Sequence, residues 1–220
     1  MSFKNTEVFN FEGALRGMRN PMNSWNKADS YWDFPEHPDR FVIGDSDMKL
    51  AQSLILAGNE HAKFMRMIHV CVDVNMPRYF WSESDTYHFG TKNSCSTMHK
   101  LLNNNSPITT SLFMTCAEDM IWWRDTVNRL ESMRLEYKKI QQTTKNKRQL
   151  DRLLVRAKRM LPEGFLQMRT WDTNYAELRN MYFQRRHHRL KTEWVDIFCN
   201  WVESLPYAKE LICIERIGGK

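Results

Sequence analysis

Residues 157–193 read AKRMLPEGFLQMRTWDTNYAELRNMYFQRRHHRLKTE. The stretch opens on the end of an amphipathic helix, which Pro162 and Gly164 stop, because proline offers no backbone N–H and glycine leaves a helix without steric cost. The following FLQMRTW (165–171) is short and mixed. It predicts an extended connection into another helix, capped by Asp172 or Thr173. On that helix Leu178, Met181, Tyr182 and Arg185 share one face. Between Arg179 and Lys191 stand Arg179, Arg185, Arg186, His187, His188, Arg189 and Lys191 with no acid, beside Asn174, Asn180 and several aromatics. A cluster of that density attracts phosphates. Arg185 points toward packed space, where a guanidinium is a rigid five-donor fork suited to phosphate or to a carbonyl. An internal ion pair to Glu193, eight residues on, is the alternative. Lys191 to Glu203 continues helically until Pro206.

Working outward, Leu150, Leu153, Leu154, Ala157 and Leu161 face inward on the preceding helix, with Arg152, Arg156 and Arg159 outward. Before it, Leu112, Cys116, Met120, Trp123, Val127 and Leu130 step along one face of a long helix, started by Ser106–Pro107 and running to about Ile140. The pair predicts a helical hairpin over 106–161. Nine Lys/Arg and one acid lie between Lys138 and Arg159, either a solvated helix face or a surface for polyanions. In RMIHVCVDVNMP (66–77), Ile68, Val70, Val72 and Val74 point one way and Met67, His69, Cys71 and Asp73 the other, which is a strand with unlike faces ended by Pro77.

The next segment, YFWSESDTYHFGTKNSCSTMHK (79–100), turns polar and reads as a site-forming loop. Within it Ser94, Ser96 and Thr97 beside Cys95 form a hydroxyl-rich turn able to hold a phosphate, or to cap a helix through Ser96 or Thr97. Upstream, Asp45 and Asp47 offer N-caps to a short helix that carries Leu50, Ala51, Leu54 and Ile55 and stops at Gly58. Residues 14–42, with three prolines and five aromatics, predict a loop-rich leading segment (1–45) whose aromatics pack onto the body.

At 220 residues the chain suits one domain, 1–220, with a core of its own. Thirty-two Lys+Arg against 26 Asp+Glu give +6, and 42% hydrophobic with 12% aromatic residues is a globular composition. No apolar run nears the roughly 18 residues of a membrane span, and the polar N-terminus is unlike a signal peptide, so a cytoplasmic protein is expected. Cys71, Cys95, Cys116, Cys199 and Cys213 are odd in number and widely spaced, which argues against disulfides and thiolate zinc. They read as buried small residues, Cys95 in its polar loop excepted. His88, His99, His187 and His188 lack ligand spacing, so no metal is expected. Dinucleotide-binding, P-loop and nucleophile-elbow glycine motifs do not occur.

Taken together these residues resemble the flavin-dependent thymidylate synthases, the ThyX family. That family reads a basic residue before Leu-Pro, an aromatic-rich stretch ending in Trp, an Asn, a second Asn six residues on, an Arg five further, and an Ala-Gln-x-Glu-like helix start. Lys158, Leu161 with Pro162, Trp171, Asn174, Asn180, Arg185 and Glu193 fill those places. The family's signature loop runs Arg-His-Arg, two residues, Ser, one residue, Asn-Glu, one residue, Ser, one residue, Arg. Thr91, Asn93 and Ser96 match it. Thr86, Tyr87 and His88 replace Arg-His-Arg, Ser94 replaces the Glu, Met98 replaces the last Arg, and Glu83 stands where a Gln precedes the motif.

The resemblance implies an α/β (α+β) fold with a mixed sheet flanked by helices and a long helical hairpin, assembled as a homotetramer. It also implies FAD as cofactor and dUMP as substrate, with methylene from methylenetetrahydrofolate passed to the uracil by way of the reduced flavin and NADPH as reductant. Carried over, it assigns Arg185 to catalysis and to the uracil edge. Glu83, Ser94, Cys95, Ser96, Thr97 and Lys158 fall to the nucleotide, and His88, Thr91, Asn93, Asn174 and Asn180 to the flavin. Losing motif arginines removes charge-assisted donors worth roughly 1.5 to 3 kcal/mol each. A non-catalytic nucleotide-binding protein and a nucleic-acid binder using the 138–159 and 179–191 faces are the alternatives.

Overall fold

The computed structural model describes residues 1–215. Regular structure begins at once, not after residue 42: β1 (Ser2–Phe9) leads into α1 (Phe11–Met18). Phe11, Ala14, Leu15 and Met18 recur at helical spacing and are all buried. Gly13 and Gly17, poor helix formers, mask that period in the sequence. The expected loops follow, with β2 (Tyr31–Trp32) and β3 (Phe41–Val42) paired antiparallel. The aromatics of this segment do not bury as expected, since Trp25, Tyr31, Trp32 and Phe34 are all exposed.

α2 (Asp45–Ala57) ends at Gly58 as expected, but Gly44 is its N-cap. Asp47 instead lies buried and accepts hydrogen bonds from Arg19 Nε (2.6 Å), Ser30 Oγ (2.6 Å) and the Asp29 and Ser30 backbone N–H groups. β4 (His69–Pro77) bears out the alternation, with Val70, Val72, Val74 and Met76 buried.

After Pro77 the expected loop is partly helix. α3 (Arg78–Ser84) buries Phe80 and Trp81, and its first free N–H groups donate to Phe165 O and Glu163 O, so the turn at 162–165 does the work of a cap. β5 (Thr91–Ser94) and the single turn α4 (Thr97–Lys100) follow. Ser106–Pro107 starts no helix. α5 begins only at Met120 (Met120–Gln142). The backbone of the preceding strap is consumed by α5 side chains: Ile108 N–H donates to Glu131 Oε2 (2.7 Å), Arg134 donates to Asn104 O and Lys138 to Asn103 O. α6 (Lys147–Met160) returns against α5, and the two share a core that includes Trp123, Val127, Leu130, Leu153 and Ala157.

The extended connection at 165–171 is a full strand, β6 (Leu166–Asn174), and Asn174 rather than Asp172 or Thr173 caps α7 (Tyr175–Arg185). Lys191–Cys199 continues helically as expected, but as a π-helix, and α8 (Asn200–Glu203) and α9 (Ala208–Leu211) close the described chain. The four-stranded sheet has the order β1-β4-β6-β5.

By contacts the chain forms two compact units. One comprises residues 1–2, 74–86 and 93–169; the other comprises 3–73, 87–92 and the described chain from 170 onward. Among the described residues no helix is long and apolar enough to cross a membrane. The cysteine expectation holds in full only for Cys199, which is buried and whose thiol is pushed up to about 12 by that burial; Cys71 and Cys213 are half-buried, and Cys116 is exposed like Cys95.

Candidate functional site

In the unit built around α7, the helix begins where the Asn174 carboxamide oxygen accepts from Glu177 N–H (3.0 Å), so this motif asparagine is first of all a cap. Two turns later Asn180 Oδ1 accepts from Gln184 Nε2 (2.8 Å). Gln184 Oε1 accepts from Tyr87 OH (2.9 Å), and that hydroxyl accepts in turn from Arg185 Nε (2.9 Å). Tyr87, which replaces the central His of the signature, thus holds Arg185. The guanidinium lies 5.4 Å from the Tyr87 ring centroid and 4.5 Å from that of Trp194, the residue after the buried Glu193. Nothing in the sequence pairs Tyr87 with Arg185 across 98 positions.

A cavity of about 260 Å³ opens beside this network, lined by Asn174, Asn180, Glu177, Arg66, Arg179 and Phe89 among others. Glu177 is 7% exposed, and its carboxyl has no hydrogen-bond partner among the described residues. Burial pushes its pKa up, against the opposing pull of His88, Lys92 and Arg66. Its proton is therefore held to higher pH than an ordinary carboxyl's. Arg66 stands over the Phe89 ring at 5.8 Å. Arg179, whose pKa burial lowers, donates to Ile212 O. Sequence reasoning passed over Glu177 and Arg66, because one sits in the first turn of a helix and the other before a strand, both ordinary places for a charge.

Gly90 shows why this loop carries a glycine. Its φ is +156°, and an added Cβ would lie 2.7 Å from Asp172 O and from Trp171 Nε1. His88 and Thr91, expected at the flavin, are exposed beside it.

The other unit holds the remaining expected residues. Ser96 caps α4 by accepting from His99 N–H (3.3 Å), and Thr97 Oγ1 accepts from Lys158 Nζ. Cys95 is fixed through its backbone, donating to Met168 O (2.9 Å) and accepting from Gln167 Nε2 (3.1 Å). A largely apolar cavity of about 350 Å³ with a polar rim that includes Ser96, Thr97 and Gln167 adjoins them. Asn93 and Ser94 are exposed on β5, and Glu83 is half-buried on α3. Because α4 is one turn long its dipole is weak, and an anion here would rest on Lys158 and the hydroxyls.

The backbone is similar to two crystal structures of thymidylate synthase X from Helicobacter pylori, each with FAD and dUMP. The TM-scores are 0.68 and 0.66, with 16% identity in both cases, over 96% of this chain and 97% and 98% of those chains. The α/β fold expected from the resemblance is the fold observed. No protein-family model matches the sequence, and no curated protein matches it.

Proposed function

We propose that this chain binds FAD and dUMP on the thymidylate synthase X fold and methylates dUMP to dTMP, with methylenetetrahydrofolate as carbon donor and NADPH as reductant. The observation that carries the reading is the hydrogen-bonded series Asn180, Gln184, Tyr87, Arg185 alongside a polar cavity. It ties two retained motif residues together through a residue that departs from the motif.

The donor set fits a flavin. The Asn174 and Asn180 amides, a Glu177 carboxyl without a partner and the Phe89 ring suit a planar heterocycle edged with carbonyl and N–H groups. When bound, FAD would supply the redox chemistry of carbon transfer. Arg185, preset by Tyr87 and Trp194, would orient the uracil carbonyl edge and stabilise negative charge developing on the ring, so no protein nucleophile is needed. Lys158, as a point charge beside Thr97, would meet the nucleotide phosphate, with Ser96 adding a hydroxyl and Ser94, Cys95 and Glu83 standing nearby in sequence. His88, Thr91 and Asn93 would line the flavin's approach. We further propose a cytoplasmic homotetramer of single-domain subunits. Ile121 and Trp122, 87% and 54% exposed at the start of α5, support a subunit contact there.

A non-catalytic nucleotide-binding role is favoured by one observation. Arg185 already spends Nε on Tyr87 and lies against the Tyr87 and Trp194 rings, leaving fewer donors for a ligand. Purified protein separates the two. Flavin absorbance that co-purifies or titrates in, together with dUMP-dependent dTMP formation, supports the enzyme, whereas dUMP binding without flavin uptake supports the second reading.

A further inference from the structure

The chain's positive charge is unevenly placed. Nine Lys/Arg and one acid lie between Lys138 and Arg159; the whole chain has 32 and 26, which leaves 23 basic and 25 acidic residues elsewhere. The entire positive excess therefore sits in the α5–α6 hairpin. Two of the nine are engaged, Lys138 with Asn103 and Asn105 and Lys158 with Thr97. The other seven are exposed, and none has an acidic partner among the described residues.

The second basic run behaves differently, because three of its five Lys/Arg are spent internally, while Arg189 and Lys191 are exposed. Arg179 donates to Ile212 O and lies 4.6 Å from the Phe183 ring, Arg186 pairs with Glu215 and covers the same ring at 4.8 Å, and Arg185 is held as described. Those contacts account for Arg179, Arg185 and Arg186 without any outside partner.

α6 turns Leu153 and Ala157 into the core. On its outer side Arg152, Arg156 and Arg159 stand around Val155 and Met160, which are 40% and 37% exposed, and enclose an open trough of about 520 Å³. Spacing of i, i+4 and i+7 sets three guanidinium groups along roughly 10 Å of helix. Each can grip an anionic oxygen pair, and the apolar floor between them accepts a sugar or base edge. A repeating anion with apolar spacers is the complement of this trough. The trough contains one acid, Asp151, and no aromatic ring, so it reads charge and not base identity.

We propose that the outer face of α6 docks nucleic acid through the phosphodiester backbone, without base preference. This does not rest on the dUMP and FAD reading, since none of its three arginines belongs to that site. The test uses the full chain and a labelled single-stranded oligonucleotide of mixed sequence, followed by anisotropy across a salt series, with R152Q/R156Q/R159Q as the variant. The wild type should bind with affinity that falls linearly in log–log form with salt. The variant should lose at least tenfold at low salt, and its slope should shrink by about 0.7 per arginine for a single strand. Its melting temperature should hold, because the three side chains are exposed, and so should its dUMP affinity.

Failure to bind at low salt would overturn the proposal, as would an unchanged slope in the variant. Polyglutamate binding as tightly as the oligonucleotide would show that any polyanion occupies the face and count equally against a nucleic-acid dock. Loss of dUMP affinity in the variant would move the arginines into the nucleotide site and refute the docking surface while leaving the enzyme reading intact.

Discussion

Tyr87→Phe isolates the contact on which the α7 site depends. It keeps the ring 5.4 Å from the Arg185 guanidinium and deletes one hydroxyl, which accepts from Arg185 Nε at 2.9 Å and donates to Gln184 Oε1 at 2.9 Å. A hydrogen bond to a charged group is worth about 1.5 to 3 kcal/mol, but Tyr87 and Arg185 are half-buried and water replaces part of it, so roughly 1 kcal/mol of positioning should be lost. If Arg185 holds the uracil edge, dUMP affinity should weaken about fivefold, and the melting temperature should fall by roughly 2 to 4 °C. Arg185→Ala removes the same bond and both ring contacts. At about 0.5 to 1 kcal/mol per ring, its cost is roughly 2 to 3 kcal/mol in stability together with loss of dUMP binding. A guanidinium within reach of two rings thus adds to packing as well as to any site. Arg185→Lys should keep part of the stability yet fail to bind, since an ammonium cannot reproduce the fork. Isothermal titration with dUMP and thermal melts on the same three variants read both quantities. Wild-type dUMP affinity in Tyr87→Phe and Arg185→Lys, alongside lowered melting temperatures, would make the network structural only and refute its role in the site.

Asp47→Ala should cost about 3 to 5 kcal/mol in a denaturant titration, because it strands the buried Arg19. The same carboxylate shapes the acid limb of stability. Burial alone would raise its pKa, but the hydrogen bonds from Ser30 and Arg19 outweigh it and hold it below the usual value. Its contribution is therefore full above the ordinary carboxylate range and lost as pH falls through the depressed value, so Asp47→Asn should flatten that limb. Glu177 has the opposite sign: burial raises its pKa, so the folded state keeps a proton that the unfolded chain releases as pH rises. Glu177→Gln should match wild type in acid and melt higher at neutral pH; the reverse order would rule out a pKa raised by burial. Gly90→Ala, with its Cβ 2.7 Å from Asp172 O and Trp171 Nε1, should lose about 1 to 3 kcal/mol and be seen as an early melting transition.

What could be read in the sequence, and what could not, follows from how local each signal is. β4 was legible because its two faces meet unlike surroundings, and α6 because its charged and apolar residues separate cleanly. β6 was not. Only Trp171 and Thr173 are buried along it, so alternation is confined to its last residues, where the buried pair includes a polar Thr. β1 is mostly exposed and bends at Asn5, which adopts φ +51°, so its polar, irregular text reads as coil. The false helix start at Ser106–Pro107 has a non-local cause: the carboxylate and cations that claim that strap sit 23 to 35 residues downstream on α5. The site divides in the same way. The retained motif residues Asn174, Asn180 and Arg185 are close in sequence and were found. Their partners Tyr87, Arg66 and Phe89 come from distant segments, and no spacing rule links them.

The departures from the family signature bear on chemistry through geometry more than through charge. Thr86, His88 and Met98 stand where the family carries arginines, yet the cavity beside α7 remains cationic. Arg66 reaches it from the turn before β4, Arg179 forms another part of its wall, and Lys92 lies 5.6 Å over the Trp171 ring. His88, Lys92 and Arg66 together act on the Glu177 carboxyl. An anion responds to the summed field, whichever element carries the charges, so attraction for a phosphorylated cofactor can survive such a rearrangement. Bidentate contacts to particular oxygens cannot, because a fork on one loop is not reproduced by a guanidinium arriving from another direction. Rate depends on contacts tightened in the transition state, and affinity depends on the ground-state field. On the enzyme reading, then, this chain should have lost more turnover than ligand affinity relative to family members with the full signature, and its measured kcat should fall further than its dUMP dissociation constant rises.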